Sequence, residues 1–211
     1  MTDAVQTEKL KLDVPDLVQA VNAVIQTFAA FVGISLTDFF DDTKNTLGED
    51  VRPWAFIALV ALLLRYIVGS AVHLNRAYGK RTDQEGPTLR SIWLFIKDLL
   101  FLVAFGYVAI QITHSHAFLH FIREAAWFVG LGLLWSVTDP GFRRIFLCDR
   151  PTDASFNRLA LKWAALDAFQ LLVTVLIARY AAAGLYAVIL TAAVYLIIFF
   201  VDMRFLLGSQ K

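Results

Sequence analysis

His116, His120 and Glu124 stand at i, i+4 and i+8, so on a helix they form one stripe, with Arg123 and Trp127 on the adjoining face. Imidazole titrates near neutrality and can pass protons or bind cations, and a carboxylate farther along the stripe is the next acceptor. The spacing therefore predicts a route for protons or small cations into the apolar sequence that follows. A zinc ion shared by His116 and His120 is a weaker expectation: histidines at i, i+4 can hold one metal, but no third ligand is apparent. His114 is expected among lipid headgroups.

Other ionisable residues stand inside apolar stretches. Asp98, Asp167 and Glu124 each fall eight or nine residues from the nearer boundary of such a stretch, which is roughly 12 Å of helix. Arg65 is central in its own stretch, and Gly69, His73 and Arg76 continue its face toward the opposite side. A charge at mid-membrane costs at least ~2.5 to 3.5 kcal/mol, so these groups are expected to face protein or water. Neighbours such as Lys97 and Asp98, or Arg123 and Glu124, point about 100° apart on a helix, so partners are expected from other helices. The expected pairings are Arg65 with Glu124 or Asp98, while Lys97 and Lys162 extend toward headgroups. The bland alternative is a static ionic network that holds helices in register.

The elements that position these residues are legible in the composition. Of 211 residues, 58% are hydrophobic and 18% charged, too apolar for a soluble domain of this length. Residues 54–77, 91–112, 116–137, 159–181 and 184–206 are each long and apolar enough to cross a bilayer. A sixth stretch, 17–36, carries Gln19, Asn22 and Gln26 in a narrow polar stripe. It is expected to span with the stripe turned toward the protein, rather than to lie at the interface, because an interfacial helix carries Lys or Arg on its polar face. The expected fold is an all-α transmembrane bundle of six spans, or five if 17–36 lies flat. It forms one domain, 1–211, with a tail at 1–16, an acidic loop at 37–53 and a basic loop at 138–158.

Lys80, Arg81, Arg90, Arg143, Arg144, Arg150 and Arg158 fall in alternate loops, which places those loops and both termini on the cytoplasmic side of a bacterial-type inner membrane. The first residues are too polar for a secretory signal. Trp54, Trp93, Trp163, Tyr78 and Tyr180 read as interfacial anchors, and Ala160, Ala164 and Ala168 as a helix-packing face. A net charge of +1 without a basic face argues against nucleic acid. The single Cys148 excludes an intrachain disulfide. There is no His-Glu-x-x-His, no Cys-x-x-Cys and no Gly-rich phosphate loop, so neither an enzyme nor a cofactor is expected.

Six helices with inside termini in a chain of this length make a layout similar to that of some small bacterial potassium channels. Their Arg-x-x-x-Phe-Ser-Asp sequence is absent from the first helix, and so is a Thr-Val-Gly-Tyr-Gly filter, so the likeness is one of architecture alone. The expected function is an ion or proton channel or transporter in the lipid bilayer. Its ion-handling residues are His116, His120, Glu124, Arg123, Arg65, His73, Asp98 and Asp167, and its pathway is expected to form in a homo-oligomer. The alternative is a non-catalytic scaffold or regulatory subunit whose basic loops bind lipid or a protein partner.

Overall fold

The computed structural model describes residues 14–41, 47–78, 89–146, 154–180 and 184–208. They form the helices α1 (Val14–Asp38), α2 (Arg52–Tyr78), α3 (Leu89–Thr113), α4 (Phe118–Phe146), α5 (Ala154–Tyr180) and α6 (Leu185–Gly208). All six are long and apolar enough to cross a membrane, including the one that contains 17–36. Prolines near the starts of α1 and α2, Pro15 and Pro53, suit the first turn, where no backbone N–H partner is lost. At the end of α3 the hydroxyls of Thr113 and Ser115 donate to the carbonyls of Ile110 and Ile112, two of the groups a helix end leaves without a partner.

The apolar stretch that begins at 116 does not stop at 137. α4 runs on through Pro140 to Phe146, so the first part of the expected basic loop is helical. Thr-Asp-Pro-Gly reads as a turn, because a proline removes one backbone bond and crowds the preceding carbonyls. Here the Thr138 hydroxyl donates to the carbonyls of Leu134 and Trp135, binding the last turn before the proline. Cys148, Arg150, Lys80 and Arg81 lie outside the described residues, and nothing is described of the side chains of Arg76, Arg90, Arg143 and Arg144.

The helices pack in a closed order. α1 lies against α2 and α3, α3 against α4, α4 along α5, α5 against α6, and α6 against α2, with α2 also touching α4 across the interior. The core is aromatic and aliphatic: Phe28, Phe105, Phe121, Phe128, Leu59, Leu62 and Leu63 are fully buried. Outward faces carry Leu100, Val103, Tyr107, Leu161, Leu172, Ile197 and Phe200. So many large apolar side chains facing outward suit lipid, and in water they would drive association.

Candidate functional site

Two ionic clusters occupy the interior, and both use α2. In the first, Arg65 bridges two helices. Its Nη1 lies 2.7 Å from Asp167 Oδ1 on α5, and its Nε donates to Asp202 Oδ2 on α6 at 2.9 Å. Nη1 also donates to Gln170 Oε1 at 2.6 Å. Tyr66 donates its hydroxyl to Asp167 Oδ1 at 2.9 Å, Ser136 donates to Asp167 Oδ2 at 3.4 Å, and Trp163 donates its indole N–H to Asp202 Oδ1 at 2.8 Å. Every carboxylate oxygen of Asp167 and Asp202 thus has a donor. Yet among the described residues Arg65 is the one cation within ion-pair distance of the two acids, so the triad carries a formal charge of −1 when both are ionised.

The second cluster joins α2, α3 and α4. Lys97 places its ammonium at 2.8 Å from Asp98 Oδ1 and also on Asp139 Oδ1. Trp135 donates to Asp98 Oδ1 at 2.9 Å and Tyr78 to Asp98 Oδ2 at 2.6 Å. His73 Nε2 stands 3.9 Å from Asp98 Oδ2 and 3.8 Å from Asp139 Oδ2, with its ring 4.7 Å from that of Trp135. His73, Asp98 and Asp139 are buried, and one ligand atom from each lies within 4.8 Å of the others, close enough to converge on a metal ion. Lys97 already bridges the two carboxylates, so a cation there would have to displace its ammonium.

A cavity of about 40 Å³ lies between the clusters, lined by Arg65, Ser70, His73, Asp139, Asp167 and Asp202 among others. A water needs on the order of 10–15 Å³ by the same measure, so the space suits a few waters and not a hydrated ion stream. Every residue that lines it comes from one chain. Gly132 shapes its wall: a Cβ there would fall 2.1 Å from the Tyr66 hydroxyl, so only glycine lets Tyr66 reach Asp167.

Several expected contacts are corrected. Arg65 pairs with neither Glu124 on α4 nor Asp98 on α3; its guanidinium reaches Asp167 on α5 and Asp202 on α6 instead. The neighbours Lys97–Asp98 and Arg123–Glu124 do pair, the latter at 3.1 Å, because the long cationic arms swing around the helix. Lys97 points inward, with 14% of its side chain exposed, whereas Lys162 is exposed and lies over the Phe205 ring. Tyr78 and Trp163, expected as interfacial anchors, donate hydrogen bonds to buried aspartates. Gln19, Asn22 and Gln26 are exposed on the outside of the bundle instead of facing its interior.

Only part of the expected stripe lies on a helix: α4 begins at Phe118, so His120 and Glu124 share it at one end of the bundle while His116 stands in the bend before it. His120 Nε2 is 3.8 Å from Glu124 Oε1, and the rings of His116 and His120 are 6.5 Å apart. Arg123 is largely exposed, and His114 stands 3.8 Å from Asp38 at the end of α1. Tyr66, Phe105 and Phe128 pack at 4.9 to 5.1 Å between ring centres, and this aromatic layer sits between the stripe and the Arg65 triad. Among the described residues no ion pair joins Glu124 to Arg65, Asp167 or Asp202. Polar side chains continue instead along α5 and α6, where Thr174 Oγ1 lies 3.0 Å from the Tyr195 hydroxyl and donates to the carbonyl of Gln170.

Asp139, Gln170 and Asp202, with the donors Tyr66, Trp135 and Ser136, are the site residues that sequence reasoning missed. Asp202 carried a usable signal, an acid within an apolar stretch, whereas Asp139 was hidden in a sequence that reads as a turn. Compared with family models, curated proteins and solved structures, the chain matches none.

Proposed function

We propose that this chain is an integral membrane protein that carries protons, or a bare small cation in their place, through its own interior. One observation carries the reading: a single guanidinium, Arg65, is shared by the buried Asp167 and Asp202 beside a small cavity that His73 and Asp139 also line. An uncompensated charge in a low-dielectric interior is costly, so one further positive charge is favoured at this pair. A proton arriving on either carboxylate neutralises it and leaves Arg65 with the other. When the proton departs to a water in the cavity, the original arrangement returns. Asp139 and His73, on the opposite wall, provide the next acceptors toward the ends of α2 and α4. His116, His120 and Glu124 gather protons at the other end, and the hydroxyls of Tyr195 and Thr174 lead toward Gln170. In this reading the termini are cytoplasmic and the host is a bacterial-type inner membrane, following the Lys and Arg bias.

The test is proton uptake into liposomes that hold the purified protein and an internal pH dye, under an imposed gradient with charge compensation. Wild type is expected to pass protons. Asp202→Asn and Asp167→Asn should slow the flux by about tenfold or more, the equivalent of ~1.4 kcal/mol in the barrier. Wild-type protein that passes neither protons, Na⁺ nor K⁺ would end the transport reading.

A second reading draws on the donor held by every oxygen of Asp167 and Asp202: a membrane scaffold whose ion pairs fix α2, α5 and α6 in register. It predicts that the same substitutions lower thermal stability in protein that never conducted.

A further inference from the structure

From Gln19 to the end of α1, nine of the ten exposed residues are small or amide-bearing: Gln19, Asn22, Ala23, Gln26, Thr27, Ala29, Ala30, Gly33 and Thr37, with Ile34 the exception. Among the described residues no other helix has such an outward face. α3, α5 and α6 present Leu100, Tyr107, Leu172, Ile197 and Phe200 outward. Thr27 and Thr37 satisfy their hydroxyls within the helix, on the carbonyls of Ala23 and Gly33. A carboxamide has two donors and an acceptor and cannot be satisfied in that way. Asn22 and Gln26 stand inside the membrane-crossing part of α1, which begins at Gln19. At ~1.5 Å per residue Gln26 is about 10 Å along it. Amides at that depth, beside residues small enough for close backbone approach, suit another membrane helix better than lipid.

We infer that this face of α1 is where a second copy of the chain docks, α1 against α1 about a two-fold axis along the membrane normal. Copies inserted in the same direction meet with parallel helices, so a residue near the axis faces its own counterpart. Carboxamides suit that geometry because each can donate to and accept from an identical group, whereas a like-charged residue would repel itself. Gly33 stands farther along the same face, and no heavy atom lies within 4 Å of where its Cβ would be, so the protomer leaves that space open. The inference concerns the outer surface and stands independently of proton movement through the interior.

Single-cysteine variants in a Cys148→Ser background test it by oxidative cross-linking in native membranes. Gln26→Cys and Gly33→Cys are expected to give disulfide-linked dimers, while Leu172→Cys, exposed on α5, stays monomeric. Gly33→Leu, for which the protomer has room, should weaken association by about tenfold or more, a change of ~1.4 kcal/mol, as read by subunit counting in lipid nanodiscs. Equal cross-linking at all three positions, or a monomer in nanodiscs, would overturn the proposal; a monomer that instead co-purifies with a different membrane protein would assign the face to that partner.

Discussion

Arg65 is the residue on which the interior depends most directly. Its guanidinium reaches α5 and α6 at once because Nε and Nη1 point in different directions, a geometry that an ammonium cannot reproduce. Arg65→Ala leaves two buried carboxylates without their cation and is expected to cost about 3–5 kcal/mol, the usual penalty for breaking a buried pair. Arg65→Lys keeps the charge but loses the second direction, so its melting temperature in detergent should fall between those of wild type and Arg65→Ala. Equal melting temperatures for wild type and Arg65→Ala would show that the triad is not what holds the helices. The sequence showed that Arg65, Asp98 and Asp167 needed partners, because isolated charges in apolar helices are expensive. It could not show which partners, since the choice depends on how α2 is rotated relative to α5 and α6. Arg65 and Asp202 are 137 positions apart, and nothing in either local pattern refers to the other.

At the scale of the helix, α4 decides how much of the interior is polar. It brings Trp135, Ser136 and Asp139 to the two clusters, and its Gly132 clears the space into which Tyr66 fits. Gly132→Ala would set a methyl against the hydroxyl and ring edge of Tyr66, which is buried and held by Asp167, so the ring cannot swing away freely. The expected cost is about 1–3 kcal/mol, typical of overpacking. Gly130→Ala is the control two residues earlier, where nothing lies within 4 Å of the added carbon, and it should be close to neutral. Thermal unfolding of the two variants side by side checks this, and similar losses in both would refute the role given to Gly132. The existence of the helices was legible because runs of about 20 apolar residues have few other fates. The end of α4 was not, because Thr-Asp-Pro-Gly resembles a turn in water, and only the surrounding helix and the Thr138 hydroxyl keep it helical.

Over the whole molecule, the placement of charge gives the bundle a direction. The end that carries His114, His116, His120 and Glu124 has no Lys in its α3–α4 turn, whereas Lys80, Arg81, Arg143, Arg144 and Arg150 cluster in segments expected at the other end. Charged loops of this kind resist translocation, so the histidine end is expected outside. The contacts within the bundle agree on which residues share an end: Asp38 at the close of α1 meets His114 after α3, while Tyr78 at the close of α2 meets Asp98 of α3. This ordering was readable from hydropathy and charge together. The outward turn of Gln19, Asn22 and Gln26 was not, because a polar stripe looks the same in sequence whether it faces its own bundle or a neighbour. Ala117→Cys, at an exposed position in the α3–α4 turn, and Gln84→Cys, each in a Cys148→Ser background, test the direction with a membrane-impermeant maleimide on intact cells. The cysteine at 117 should be labelled from outside, and the one at 84 only after the membrane is opened. The reverse pattern would place the stripe in the cytoplasm, so that protons collected by Glu124 would run outward along the route proposed for uptake.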